Sequence, residues 1–289
     1  MKLLLKIVVV LLVLLVITGT VAWIWIDSIA KTAVVEGTKY AFNVDASLDD
    51  MSVSLLGGTI EMEEYTLGIP EGFDEAEYSM LMGNLKLGVD TGTLTDDLIV
   101  VNEFIIDGIE LHFVKKDGKN NFSVMFDHAA EKLGSDDDKE KPKGEGKKIK
   151  VGKIEIRNVV AHFHVQPLPG MAAVSILPVK IDELILEDVS SEEGVPVAQL
   201  ATRILPAILA GVVNSGAGIP SDVLGSLDST VKGFSKSMGG NVEKLIKQSE
   251  AFLGDALKKP KEIIDEVLKK NPLDLIPGIG GDKDKDKDE

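Results

Sequence analysis

From Ile7 to Ile26 the chain runs through twenty residues without a charge, IVVVLLVLLVITGTVAWIWI. As a helix this run rises about 30 Å, the thickness of a bilayer's hydrocarbon core, so the rest of the chain has to fold beside a membrane. Lys2 and Lys6 precede it, and Trp23, Trp25 and Asp27 close it. Lysines stay on the cytoplasmic side and indoles settle at the interface, which predicts a cytoplasmic N terminus and an exported body. A cleaved signal peptide shares the charged start, but its apolar core is usually about 7–15 residues and ends in small side chains. Here the only small-residue exit, Thr20-Val21-Ala22, leads straight into Trp23-Ile24-Trp25. The run is read as a retained anchor, residues 1–26.

Charge and cysteine usage narrow what the body can do. There is no cysteine in the 289 residues. An exported chain without one has no disulfides, no thiol nucleophile, no cysteine zinc site and no cysteine to acylate. The formal net charge is −16, and residues 27–130 carry most of it, 20 acidic against 6 basic side chains. Such a surface repels phosphate backbones and anionic headgroups. Nucleic acid is therefore not expected as a partner, and lipid would have to be met through apolar area.

After the anchor, SIAKTAVVEGTKYAF (28–42) predicts a short exit helix. The period then changes to two. Val44, Ala46 and Leu48 alternate with polar neighbours, and after Asp49-Asp50 the apolar phase moves to Met51, Val53 and Leu55. A one-residue change of phase inside a strand predicts a bulge or bend. Gly57-Gly58 predicts a turn. Alternation continues at Ile60 and Met62, at Leu85, Leu87 and Val89, and at Ile109, Leu111 and Phe113. These read as half-wetted antiparallel strands, forming a first β-rich part over 27–132. The stretch 133–149, from Leu133 through the charged GSDDDKEKPKGEGKK, reads as a solvated loop. Strand signals resume over 150–190, at Ile149 to Ile156, Val159 to Val165, Ala173 to Ile176 and Ile181 to Leu186. Residues 191–270 turn helical: Val197, Leu200, Ala201, Ile204, Leu205, Ile208, Leu209 and Val212 form one stripe, which Pro206 should kink or split. A second helix is predicted from Asn241 to Pro260 and a short third one around Ile263–Leu268. The tail 271–289, ending DKDKDKDE, has nothing to bury. The fold class predicted is α+β: an N-terminal transmembrane helix, a curved antiparallel β-sheet and C-terminal amphipathic helices.

Chemistry is sparse. His162 and His164 share a strand face, but a metal site needs three or four converging ligands. His112 and His128 stand apart in sequence, so no metal site is expected, and no cofactor. Asp136-Asp137-Asp138 and the acidic tail lack the spacing of a calcium loop and are interleaved with lysines. Glu63-Glu64 and Asp96-Asp97 are neighbours that should face opposite ways in a strand. No GxSxG, HExxH or P-loop occurs, Ser79, Ser123 and Ser190 have no base signature, and Gly152, Gly170 and Gly194 open no phosphate-binding helix. No enzyme is expected.

The order of membrane helix, exit helix and paired strands, NVDASLDDMSVSLLGGTIEMEEYTLGIPEGF from Asn43 to Phe73, resembles the start of AsmA-like proteins. YTLGIPEGF, Tyr65 to Phe73, is similar to the family's "gl.i.NP.GF" segment, with Ile69 at the usual Asn. Two more stretches resemble the family: LIVVNEFIIDGIELHFVKKDGKNNFS (Leu98–Ser123), where strands end in a turn followed by an Asn, and ILPVKIDELILEDVSSEEGVPVAQLATRILPAIL (Ile176–Leu209). The resemblance implies a single-pass protein of the bacterial inner membrane that faces the periplasm and serves outer-membrane assembly or phospholipid movement. Long members form apolar β-grooves; this chain is too short to bridge an envelope alone. Phospholipid and other envelope proteins are the partners implied. Candidate lipid contacts are Val53, Leu55, Ile60, Met62, Leu85 and Leu87 on the strands and Leu200, Ile204 and Ile208 on the helix. An open apolar groove would favour lipid; a filled interior would favour a structural or inhibitory module without a ligand.

Overall fold

The computed structural model describes residues 26–133, 148–165, 178–190, 192–196, 199–216, 219–239 and 241–254. Helix α1 covers 26–42 and leads into the hairpin β1 (Ala46–Ser54) and β2 (Thr59–Gly68). Strands β3 (Tyr78–Val89) and β4 (Leu98–Lys116) follow, then β5 (Lys119–Asn120), α2 (Asn121–Leu133), β6 (Lys148–Val151), β7 (Lys153–Val165), β8 (Val179–Glu187) and β9 (Val195–Pro196). Helices α3 (Ala201–Ser215), α4 (Ser221–Met238) and α5 (241–254) close the described chain. Most of the anchor run, the loop segment 134–147, the signal at Ala173–Ile176 and everything beyond 254, the third helix included, lie outside the described residues. Among the described residues no helix is long and apolar enough to cross a membrane.

The α+β class holds, with a curled sheet, but the sheet is mixed rather than antiparallel. Strands β1 to β4 pair antiparallel in sequence order; β4 then pairs in parallel with β6 and β7, and β7 antiparallel with β8. The crossover from β4 to β6 carries α2, which parallel neighbours need because a tight turn cannot join them. Alternation alone does not carry strand direction, so the sequence pattern could not separate the two cases. Lys148 and Ile149 also lie inside β6 rather than in the loop, and Val159 to Val165 belongs to one strand with Ile154 and Ile156.

The phase change at Asp49-Asp50 proves to be one point of a line that crosses the sheet. Buried or half-buried neighbours stand three residues apart instead of two at Leu48/Met51, Met62/Tyr65, Met82/Leu85, Ile106/Ile109, Ile156/Val159 and Ile181/Leu184. The strand registers align the intervening residues, so Asp49, Glu64, Gly83, Gly108, Asn158 and Asp182 fall on one row. Glu64, Gly108 and Asn158 have φ of 51°, 73° and 55°, the left-handed region that turns the backbone over. Asn158 Nδ2 donates to Asp107 Oδ1 at 2.7 Å across the parallel pair. Because all six strands that cross this row break there, pairing continues unshifted across it and both sides of the line bury the same face. A second break of this kind separates Val101 from Phe104, Val151 from Ile154 and Leu186 from Val189.

Helices cover that buried face. Helix α3 has Ile204 through Val212 buried without interruption, so it is enclosed rather than half-exposed, and it runs through Pro206 without splitting. At Gly211 a side chain would meet Ile181 of β8 at 3.3 Å and both Ser249 and Leu253 of α5 at 3.0 Å, which shows α3 wedged between sheet and α5. Two helices were not legible as separate elements. Helix α2 buries Phe122, Met125, Phe126 and Ala129, a helical spacing directly after strand-like sequence. In α4 the apolar stripe is thinned by Ser and Gly, yet Val223, Leu227, Val231 and Phe234 are buried, and Phe234 stacks on Phe126 at 4.4 Å.

Polar side chains fix the junctions. Asn120 and Ser123 bond reciprocally at the start of α2, the Asn120 carboxamide oxygen accepting from Ser123 N at 2.9 Å and Ser123 Oγ from Asn120 N at 3.2 Å. Along the edge strand β1, Asp27 Oδ1 accepts from Val53 N at 2.7 Å and Lys31 Nζ donates to Asp49 O at 2.8 Å. Side chains of the exit helix thus occupy backbone groups that an edge strand would otherwise offer to another chain.

Candidate functional site: an apolar face and a histidine–carboxylate cluster

The registers gather the candidate lipid residues of the strands on the covered face. Val53, Ile60 and Leu87 form one cross-strand row, and Met62 and Leu85 belong to the next, opposite Met51 and Ile106. The row holding Val53 is the one nearest the β1–β2 turn. Val53, Ile60, Met62 and Leu87 are half-buried and packed against the core, whereas Leu85 is buried and Leu55 is exposed. Leu200, Ile204 and Ile208 are not part of an open lining; they are buried in the helical layer. The nominated set therefore divides. Its helical members fill the interior, while Val53, Ile60, Met62 and Leu87 on the strands remain partly accessible.

Exposed apolar area concentrates at the same end. Among the described residues the exposed large apolar side chains are Ile29, Tyr40, Leu55 and Leu56, the last 83% exposed. The Asp27–Val53 bond pins the first turn of α1, which carries Ile29, beside the end of β1 that leads into the Leu55-Leu56 turn.

On the opposite face stands a cluster of titratable groups. Parallel pairing sets His112 of β4 directly beside His162 of β7, and Val114 beside His164. Glu110 Oε1 lies 3.0 Å from His112 Nε2 and 3.4 Å from His162 Nε2. His112 Nδ1 is 2.8 Å from His164 Nε2. The His112 ring stacks on those of His162 and His164 at 5.0 and 5.1 Å, and Tyr78 meets its edge at 4.8 Å. The His112 side chain is 16% exposed, and those of His162 and Glu110 are 36% and 38%. Burial, reinforced by the charges of His112 and His162, lowers the His164 pKa, with Glu75 opposing, which favours neutral imidazole. Burial also raises the Tyr78 pKa, helped by the neighbouring Glu110 carboxylate.

His112 is not isolated, as its place in sequence suggested. The missed signal is an internal repeat. Residues 98–114, LIVVNEFIIDGIELHFV, match 148–164, KIKVGKIEIRNVVAHFH, at an offset of 50, aligning Ile106 with Ile156, His112 with His162 and Phe113 with Phe163. This is also the register of the parallel pair.

The serines without a base signature are held by structural partners. Ser79 Oγ accepts from Asn121 Nδ2 at 3.0 Å, Ser123 sits in the α2 cap, and Ser190 Oγ accepts from Val151 N at 2.8 Å. On the core side, burial lifts the Tyr65 pKa to about 12, partly offset by its bond to Thr38 of α1, so this phenol stays neutral and acts as a donor. No protein-family model, curated protein or solved structure matches this chain.

Proposed function

We propose that this chain is an AsmA-like, non-enzymatic envelope protein, anchored in the inner membrane by Ile7–Ile26 and facing the periplasm. There it contributes to envelope assembly or lipid handling through the apolar face of its sheet. One observation carries the reading. Exposed Ile29, Leu55 and Leu56 and the partly accessible row Val53, Ile60 and Leu87 lie toward the same end of the domain, where the apolar run leads into α1. Apolar side chains grouped so are an unfavourable surface in water and a favourable one against acyl chains. The acidic surface leaves contact area, rather than charge, as the attraction to lipid.

Two measurements test it. A photoreactive residue at Ile60 of the full chain in native membranes should label phospholipid, while one at the adjacent Glu61, on the wetted face, should not. Equal labelling at both positions, or at neither, would remove lipid handling. A reporter active only in the periplasm, fused after Glu289, should be active; activity of a cytoplasmic reporter there would reverse the topology. The burial of Leu85, Leu200, Ile204 and Ile208 supports a second reading, a structural or inhibitory periplasmic module whose filled core takes no lipid. The Ile60 probe separates the two.

A further inference from the structure

We propose that Glu110, His112 and His162 bind one divalent transition-metal ion, with His164 positioning His112 and a fourth coordination place left to solvent. Zinc bound by imidazole nitrogen and carboxylate oxygen at about 2.0–2.1 Å in tetrahedral geometry keeps its ligand atoms about 3.3 Å apart. Glu110 Oε1 already stands 3.0 and 3.4 Å from the Nε2 atoms of His112 and His162, and the three ligand atoms lie within 4.8 Å of one another. Small side-chain movements bring them onto one ion.

The surroundings match what a metal-bound imidazole requires. A ligating histidine holds its second nitrogen to a hydrogen-bond partner, which fixes the ring and its tautomer. His112 Nδ1 has such a partner in His164 Nε2 at 2.8 Å. The His112 ring is held as well by the edge contact with Tyr78 at 4.8 Å. Backbone placement is rigid, because all four cluster residues sit on the paired strands β4 and β7 rather than on loops. Two imidazoles and one carboxylate form a set suited to zinc, copper or nickel and poorly suited to calcium or magnesium, which take oxygen ligands. The site lies on the face opposite the apolar rows, so it is independent of lipid handling.

The same contacts could form a hydrogen-bonded cluster without an ion, His112 donating from Nε2 to Glu110 and accepting at Nδ1 from His164. Titrating the full chain with zinc against a competing chelator distinguishes them. One saturable equivalent is expected, and His162→Gln and Glu110→Gln should each weaken it by about 100-fold or more. His164→Gln should weaken it by roughly 10-fold to 100-fold, through His112. Both ligand positions are partly exposed, so these variants should keep the unfolding midpoint of the metal-free protein. Should either variant fail to fold, copper loading of the wild type reads the site directly, since its electron paramagnetic resonance should show two equatorial imidazole nitrogens. Equal zinc binding by wild type and variants would place the metal on the aspartate-rich segments and overturn the proposal. Absence of a saturable equivalent, or a copper spectrum without imidazole nitrogen, would overturn it too.

Discussion

Replacing Ile208 by aspartate should leave the domain unfolded at ambient temperature. Ile208 is 2% exposed, on the helix wedged between β8 and α5. Even truncation to alanine at such a position costs about 2–5 kcal/mol, through lost burial and the cavity left behind. On α3 itself Arg203 is the only basic residue, and its guanidinium bonds to Val189 O at 3.4 Å. Burying an unpaired charge adds several kcal/mol more, against a total stability of about 5–15 kcal/mol for a typical domain. Circular dichroism and limited proteolysis of the purified full chain check this. A midpoint within a few degrees of wild type would mean that α3 is not part of the core.

Almost as large an effect is expected from Asn121→Leu, a change that keeps most of the volume. Asn121 is fully buried and its carboxamide is saturated: Oδ1 accepts from Val114 N at 3.0 Å, and Nδ2 donates to His112 O at 2.8 Å and to Ser79 Oγ at 3.0 Å. Leucine removes all of these and strands the Val114 N–H and the His112 carbonyl away from water. Each buried group left unpaired costs roughly 1–3 kcal/mol, so a loss of about 3–5 kcal/mol is expected in chemical denaturation. Because one of the bonds holds the backbone of His112, zinc binding should weaken in whatever fraction of the variant remains folded. Asn121→Asp keeps an acceptor for Val114 N, but its carboxylate would face the His112 carbonyl in a fully buried site and should not rescue the loss. If leucine proves as stable as asparagine, the amide is not the clamp between β3, β4 and α2.

Local patterning announced many of these elements. Alternation at Ile60 and Met62, at Leu85 to Val89 and at Ile181 to Leu186 marked strands, and the stripe from Leu200 to Val212 marked α3, because burial of one side leaves a period in the sequence. The misstep at Asp49-Asp50 was legible for the same reason. What stayed hidden depends on partners distant in sequence. The parallel direction of β7 against β4 leaves no trace in either strand alone, and with it the company of His112 stayed hidden. Helix α4 escaped because Gly225, Gly233 and its serines dilute the apolar period. At Pro206 the missing backbone donor predicted a break, but surrounding buried contacts hold the helix together through it.

The aligned breaks also bear on how the chain finds its pairing. Strands β4 and β7 meet only after the intervening residues, α2 among them, have been looped out, a non-local contact of the kind that slows folding. Sliding one strand by two residues would normally yield a plausible decoy, since a period of two returns the same apolar face. Here such a slip would set Gly108 against Ile156 or Val160 instead of Asn158, and the backbone reversal of one strand would meet regular backbone in the next. Apolar side chains would then point the wrong way between the two reversals. Each reversal therefore acts as a tooth that meshes with its neighbour at one setting only, and misaligned intermediates are penalised before the helical layer closes over them.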